Sequence, residues 1–149
     1  IEKNNPGKDG KYSAKIVLQR NGKVLLILNE KGWDLPGGHI KENENIVTGL
    51  IREVFEETGL SLTSSDIEDM NYKHRNKRFF SGDLTTDDIT LSDEHTKYGF
   101  YSLEEVLSMD NVAPYYKLAV KKSMKKDYNR PIVLKITGAH SNYIPAVRE

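Results

Sequence analysis

The segment from residue 46 to 58 constrains the fold most, because its apolar residues recur with the 3.6-residue period of a helix. The apolar side carries Ile46, Val47, Leu50, Ile51, Val54 and Phe55, and the polar side carries Arg52, Glu53, Glu56 and Glu57. Gly59 follows and is predicted to end the helix as a left-handed cap. A helix with one apolar face must be buried against another layer of structure.

A β-hairpin is predicted before this helix. Asn21-Gly22 favours a two-residue type I′ turn between the stretches AKIVLQR and KVLLILN. The apolar run at 24–28 is nearly continuous, which indicates a strand covered on both faces. A further strand is expected to end near Leu35, because Pro36-Gly37-Gly38 is predicted to interrupt regular structure. The backbone there is expected to be flexible or to approach a neighbour closely.

The remaining elements are predicted from alternation and capping patterns. Ser102 and Glu105 form a capping box that opens a short helix. Strands are expected near 67–74, 78–84, 96–101 and 131–137, and a last helix from 114 to about 126. We therefore expect a flexible leader at 1–11, one domain at 12–137 and a tail of unknown role at 138–149.

Composition bounds the class of protein. The chain has 149 residues, 37% of them apolar, which suits a single compact domain. It has no cysteine, so disulfides and thiol chemistry are excluded. Without a long apolar run, we expect a soluble cytoplasmic protein with no membrane contact. Because 22 basic residues balance 22 acidic ones, a broad nucleic-acid-binding face is not expected.

Three carboxylates of the predicted helix, Glu53, Glu56 and Glu57, lie at spacings of three and four residues and therefore share one face. Like charges at these spacings repel, unless a cation lies between them. All-oxygen ligation of this kind suits Mg²⁺ or Mn²⁺. A solvated acidic helix face is the alternative interpretation.

The spacing around these carboxylates is more specific. Gly38 is followed after five residues by Glu44, after seven more by Arg52-Glu53-Val54, then by Glu56-Glu57 and by Gly59-Leu60. This segment, residues 38–60, resembles the complete signature of the Nudix hydrolase family. The resemblance implies an α/β/α sandwich around a mixed sheet, in which a loop, helix and loop hold the metal ions.

The resemblance also implies roles for individual residues. The metal ligands would be Glu53, Glu56 and Glu57, joined by a backbone carbonyl of Gly38 or its neighbour Gly37. Arg52 and Glu53 would be catalytic, with Arg52 orienting a carboxylate. Glu44 is expected to steady Arg52, although a plain helix-stabilising ion pair explains these two residues equally well.

A second acidic segment, Asp93-Glu94-His95, lies in a predicted loop before a strand. The resemblance implies that a loop carboxylate here serves as a further metal ligand or as the general base. Glu94 is the first candidate, followed by Asp93 and then His95. An ordinary surface loop is the alternative.

A basic turn at residues 73–78, KHRNKR, joins two predicted strands. Arg75 and Lys77 are candidate substrate-binding residues that would contact the far phosphates of a polyanion, while a solvated hairpin tip explains them as well. Trp33, Tyr72 and Phe79 are candidates for stacking a base, and core packing is the simpler role for each.

Together these features predict a Mg²⁺- or Mn²⁺-dependent hydrolase of a nucleoside diphosphate linked to another moiety. A nucleoside or dinucleoside polyphosphate is the favoured substrate class, and an RNA 5′ end stays open. The alternatives are an ADP-ribose or nucleotide-sugar pyrophosphatase and a non-catalytic module that senses nucleotides. The sequence does not determine the oligomeric state.

Overall fold

The computed structural model describes residues 12–128, and the side chains of residues 12–124. Seven strands form one mixed sheet: β1 (Ser13–Arg20), β2 (Lys23–Asn29), β3 (Gly32–Asp34), β4 (Gly37–His39), β5 (Glu68–His74), β6 (Lys77–Asp83) and β7 (Lys97–Tyr101). The helices are α1 (Ile46–Thr58), α2 (Leu103–Ser108) and α3 (Pro114–Tyr128), with a short 3₁₀ turn at Ser64–Asp66. None of these helices is both long and apolar enough to cross a membrane.

The sheet divides beyond the first hairpin. Asn21 and Gly22 both have positive φ, 54° and 79°, which confirms the predicted tight turn. β1 and β2 pair only next to this turn, at Gln19/Val24 and Arg20/Lys23. Further along, β1 pairs with β4 and, in parallel, with β6, whereas β2 pairs with β3 and β7. The two halves of the sheet therefore separate at the end that holds β3 and β4.

Helices cover both faces of the sheet. Alternate residues of β1 serve two separate cores, because successive side chains of a strand point to opposite faces. Ile16 and Leu18 pack in the core beneath α1, whereas Val17 packs with Phe79 and with Tyr116 of α3. This arrangement confirms the predicted α/β/α sandwich around a mixed sheet.

The predicted start and end of α1 are correct. The Asn45 side chain accepts hydrogen bonds from the amides of Val47 (2.9 Å) and Thr48 (3.3 Å). Gly59 ends the helix at φ 77°, and its amide donates to the carbonyl of Phe55 at 2.9 Å. The capping box that opens α2 is also present. These local signals fix the helix that carries the three carboxylates.

The prediction for residues 36–38 is correct in part: β3 ends at Asp34, and the backbone that follows approaches β1 closely. The glycines after Pro36 do not interrupt regular structure, because Gly37–His39 forms β4 and pairs antiparallel with Ser13–Lys15. Gly37 has φ 129°, and a Cβ there would lie 2.1 Å from the carbonyl oxygen of Ala14. Glycine thus lets the strand lie unusually close to β1. The leader, the strand at 131–137 and the tail lie outside the described residues.

Candidate active site

A groove of about 1250 Å³ opens where the two halves of the sheet separate. Its lining contains carboxylates from α1 (Glu53 and Glu57), the backbone of Gly37 and Gly38, the acidic segment at 93–95, and the lysines Lys15, Lys31 and Lys77. The groove therefore brings the helix carboxylates together with the predicted base, Glu94. Glu56, Arg52 and Arg75 do not belong to the lining.

Glu53 lies directly against β4, which contains Gly37 and Gly38 and is called the glycine strand below. A Cβ on Gly38 would be 2.4 Å from the Glu53 Oε1, so only glycine leaves room for this carboxylate. Arg52 donates to Glu53 through Nη1 at 2.9 Å, and to Glu44 through Nε at 2.9 Å and Nη2 at 3.0 Å. The hydrogen bond from Arg52 holds the pKa of Glu44 below its usual value. Arg52 thus links Glu44 to Glu53, and its contact with Glu44 is the one that the sequence predicted.

Glu57 is half-buried and lines the groove. Its Oε1 accepts a hydrogen bond from the amide of Gly37 at 2.9 Å. Burial raises the pKa of Glu57 to about 7, and the nearby Lys15 ammonium and this hydrogen bond act in the opposite direction. Glu56 differs, because its side chain is 57% exposed and its contact with the Arg52 guanidinium is 3.6 Å.

Gly37, rather than Gly38, has its backbone directed toward the groove. Hydrogen bonds from Ile16 to Pro36 and from Ile40 to Tyr12 fix the β1–β4 ladder, in which Gly38 is paired with Ala14. By the alternation of an antiparallel ladder, the carbonyl of Gly38 faces β1 and that of Gly37 faces away. The Gly37 carbonyl accepts a hydrogen bond from Lys15 Nζ at 3.1 Å instead.

The donor set fits a hard divalent cation. Glu53, Glu57 and the carbonyl of Gly37 all offer oxygen atoms as ligands. Glu53 fits beside Gly38 because that residue has no Cβ, and Glu57 is confined by burial. Among the described residues, however, no three His, Asp or Glu side chains are grouped closely enough to hold a metal. Arg52 and the Gly37 amide hold the helix carboxylates instead.

The segment with Glu94 is anchored to the end of α1. The amide of Thr90 donates to the carbonyl of Thr58 (2.9 Å), and that of Ser92 to the carbonyl of Glu57 (3.2 Å). Glu94 itself is exposed, whereas His95 is buried. Burial lowers the pKa of His95, and its Nε2 has no hydrogen-bond partner among the described residues.

The basic turn divides into two parts. Arg75 occupies the exposed tip with a φ of 56°, whereas Lys77 lines the groove. Arg78 pairs with Asp69. Of the three aromatic candidates, Trp33 lines the groove, while Tyr72 stacks on the fully buried Phe79 with ring centroids 5.0 Å apart. Phe79 is therefore a core residue.

Lys15 and Asp34 form a buried ion pair in the groove wall, which sequence reasoning missed. Only 7% of Lys15 is exposed. Its ammonium lies 3.0 Å from Asp34 Oδ1 and donates to the carbonyls of Leu35 (3.2 Å) and Gly37 (3.1 Å). The Asp34 carboxylate and burial together raise the pKa of Tyr116, burial contributing more. A lysine within the otherwise apolar stretch AKIVL was the available signal.

Comparison with known proteins agrees with this fold. The family model of the NUDIX domain matches residues 11–121. The chain is 53% identical over 47 residues to an 8-oxo-dGTP diphosphatase of Buchnera aphidicola subsp. Schizaphis graminum, covering 32% of this chain and 33% of that one. It is 27% identical over 103 residues to the low-salt glycan biosynthesis protein Agl8 of Haloferax volcanii, covering 57% and 66%.

Among solved structures, the chain is similar to a MutT protein from Methanosarcina mazei Go1, with 27% identity and a TM-score of 0.62 over 80% of this chain and 95% of that one. Because the NUDIX model spans most of the described residues, the chain belongs to the NUDIX family. It spans at most 66% of the length of the two curated relatives above.

Proposed function

We propose that this protein is a divalent-metal-dependent pyrophosphohydrolase, which cleaves a phosphoanhydride of a nucleoside diphosphate linked to another moiety. Mg²⁺ or Mn²⁺ is the cofactor that we propose. Glu53 and Glu57, with the exposed Glu56 and the carbonyl of Gly37 in preference to that of Gly38, would bind it. When bound, such a cation neutralises phosphate oxygens and lowers the pKa of water.

The protein's own residues would supply orientation and proton transfer. Arg52, fixed by two bonds to Glu44, holds the carboxylate of Glu53 against Gly38. Glu53 or Glu94 would accept the proton of the water that attacks phosphorus, while the bond from phosphorus to the bridging oxygen breaks. The leaving phosphate keeps that oxygen.

The observation that carries this proposal is the convergence of two α1 carboxylates on the glycine strand, at one wall of a groove that three lysines also line. Carboxylates bind divalent cations, and lysines attract phosphates. A module that only senses nucleotides would need none of the hydrolytic carboxylates, whereas this chain retains all of them.

A nucleoside or dinucleoside polyphosphate is the substrate class that we favour. The diphosphatase relative acts, by its name, on a nucleoside triphosphate, and it shares 53% identity over the matched 47 residues. A nucleotide sugar is the second candidate, because the match to a glycan biosynthesis protein covers 57% of this chain.

The test is a screen of nucleoside triphosphates, dinucleoside polyphosphates, ADP-ribose and nucleotide sugars with Mg²⁺ or Mn²⁺, with products identified by mass. We expect release of a nucleoside monophosphate or diphosphate that disappears when the metal is chelated. Glu57→Gln and Glu56→Gln should each lower turnover by at least about 100-fold, with unfolding curves close to wild type. Full activity in both variants would exclude the metal assignment.

A further inference from the structure

Lys77 is a half-buried cation on the wall of the groove. It is the first residue of β6 and lies beside Ser13 of β1, which in turn lies beside His39 of β4. Neighbouring strands are about 4.8 Å apart, so the Cα of Lys77 is about 10 Å across the sheet from that of His39. One intervening strand, β1, therefore separates Lys77 from β4, the strand that Glu53 and Glu57 contact.

The register also places Lys77 on the same face of the sheet as Lys15. Ser13 and Lys15 are two residues apart on β1, and Ser13 is the partner of Lys77. Lys15 is already neutralised by Asp34. Lys77 forms no ion pair with any carboxylate among residues 12–124, and burial and Lys15 both lower its pKa. Lys77 thus lies in the groove with no carboxylate at ion-pair distance among the described residues.

Lys77 contacts one aromatic ring, which is itself stacked on a second. Its Nζ lies 5.8 Å from the centroid of the Tyr115 ring, within the range of a cation–π contact. Tyr115 is itself stacked on His74, with ring centroids 4.2 Å apart and planes inclined by 12°. The ammonium is therefore held at the groove, unlike Arg75 at the exposed tip of the same hairpin.

We propose that Lys77 determines substrate specificity by binding a phosphate beyond the cleaved diphosphate, so that the site selects nucleotides with three or more phosphates. Arg75, two residues away, does not share this role. A terminal phosphate would supply an ion-pair partner for Lys77, whereas the sugar of a nucleotide sugar would not. This inference rests on the proposed function for the identity of the cleaved bond, but its first test does not require turnover.

The first test measures binding of inorganic tripolyphosphate and of pyrophosphate by calorimetry, at constant Mg²⁺, to the intact protein and its variants. Lys77→Ala should weaken tripolyphosphate binding about tenfold and pyrophosphate binding much less, because one charge-assisted contact is lost. Lys77→Arg should restore most of the affinity. Lys73→Ala, an exposed lysine of the same hairpin, is the matched control and should bind like wild type.

The proposal is wrong if Lys77→Ala weakens both anions equally, if it weakens neither, or if Arg75→Ala has as large an effect. The second test compares the Michaelis constants for a nucleoside triphosphate and a nucleotide sugar, where Lys77→Ala should raise only the former. Glu53→Gln tests the hydrolytic function separately. An unchanged Lys77→Ala beside an inactive Glu53→Gln would overturn only the role of Lys77, whereas the reverse pattern would overturn only the hydrolytic proposal.

Discussion

At the scale of single residues, the adjacent glycines Gly37 and Gly38 have different neighbours. We therefore expect a substitution at one to affect stability and a substitution at the other to affect activity. A Cβ on Gly37 would collide with the backbone of β1, 2.1 Å from the Ala14 carbonyl oxygen, and its φ of 129° disfavours any other residue. The three atoms nearest to a Cβ on Gly38 would all belong to the Glu53 side chain, with Oε1 the nearest at 2.4 Å. Side chains move more easily than paired strands.

We therefore predict that Gly38→Ala folds almost as well as wild type but displaces Glu53 and lowers turnover by at least about tenfold. Gly37→Ala should instead lower the free energy of unfolding by more than about 1 kcal/mol. Urea unfolding and steady-state kinetics on both variants give the comparison. If Gly38→Ala keeps full turnover, the carboxylate of Glu53 does not need its present position.

At the scale of elements, the site depends on how the loop before β7 is attached to α1. Two backbone hydrogen bonds join residues 90–92 to the carbonyls of Thr58 and Glu57. The same loop places Glu94 at the groove that Glu53 lines from the helix. Two elements thus present a candidate base to one groove.

Exchange of each carboxylate for an amide distinguishes the two elements. If Glu94 is the base, Glu94→Gln should lower kcat by about 100-fold with little change in the Michaelis constant, because it removes a proton acceptor needed in the transition state. Asp93→Asn, the neighbouring loop carboxylate, is the matched control. A fully active Glu94→Gln beside an inactive Glu53→Gln would assign the base to α1.

At the scale of the whole molecule, the buried Lys15 connects three strands at the point where the sheet divides. Its ammonium binds Asp34 at the end of β3, the carbonyl of Leu35, and the carbonyl of Gly37 in β4, while Lys15 itself belongs to β1. A single side chain therefore holds both halves of the sheet in position around the groove.

Lys15→Met should lower the free energy of unfolding by about 3 kcal/mol, because it leaves Asp34 unpaired in a largely buried position. The double variant Lys15→Met/Asp34→Leu should recover a large part of this loss, since apolar residues replace both charges. Equilibrium unfolding in urea measures both. Wild-type stability in the single variant would mean that the pair does not stabilise the divided sheet.

Much of the fold follows from local chemistry that the chain carries by itself. Asn21-Gly22 adopts positive φ at low cost, Asn45 and Gly59 satisfy the ends of α1, and the apolar period of that helix requires another layer to cover it. The order of Gly38, Glu44, Arg52 and the three glutamates indicated the family before any distance was available. These features act within a few residues, so a sequence pattern is sufficient to reveal them.

The tertiary structure decided what depends on residues far apart in the chain. Gly37–His39 became a strand because β1 lay close enough to pair with it, and only glycine allowed that approach. Lys15 became buried because Asp34, 19 residues away, could neutralise it there. The basic turn likewise looked uniform in sequence, and only the packing of Tyr115 from α3 set Lys77 apart from Arg75. Such choices depend on long-range contacts, which local propensity does not encode.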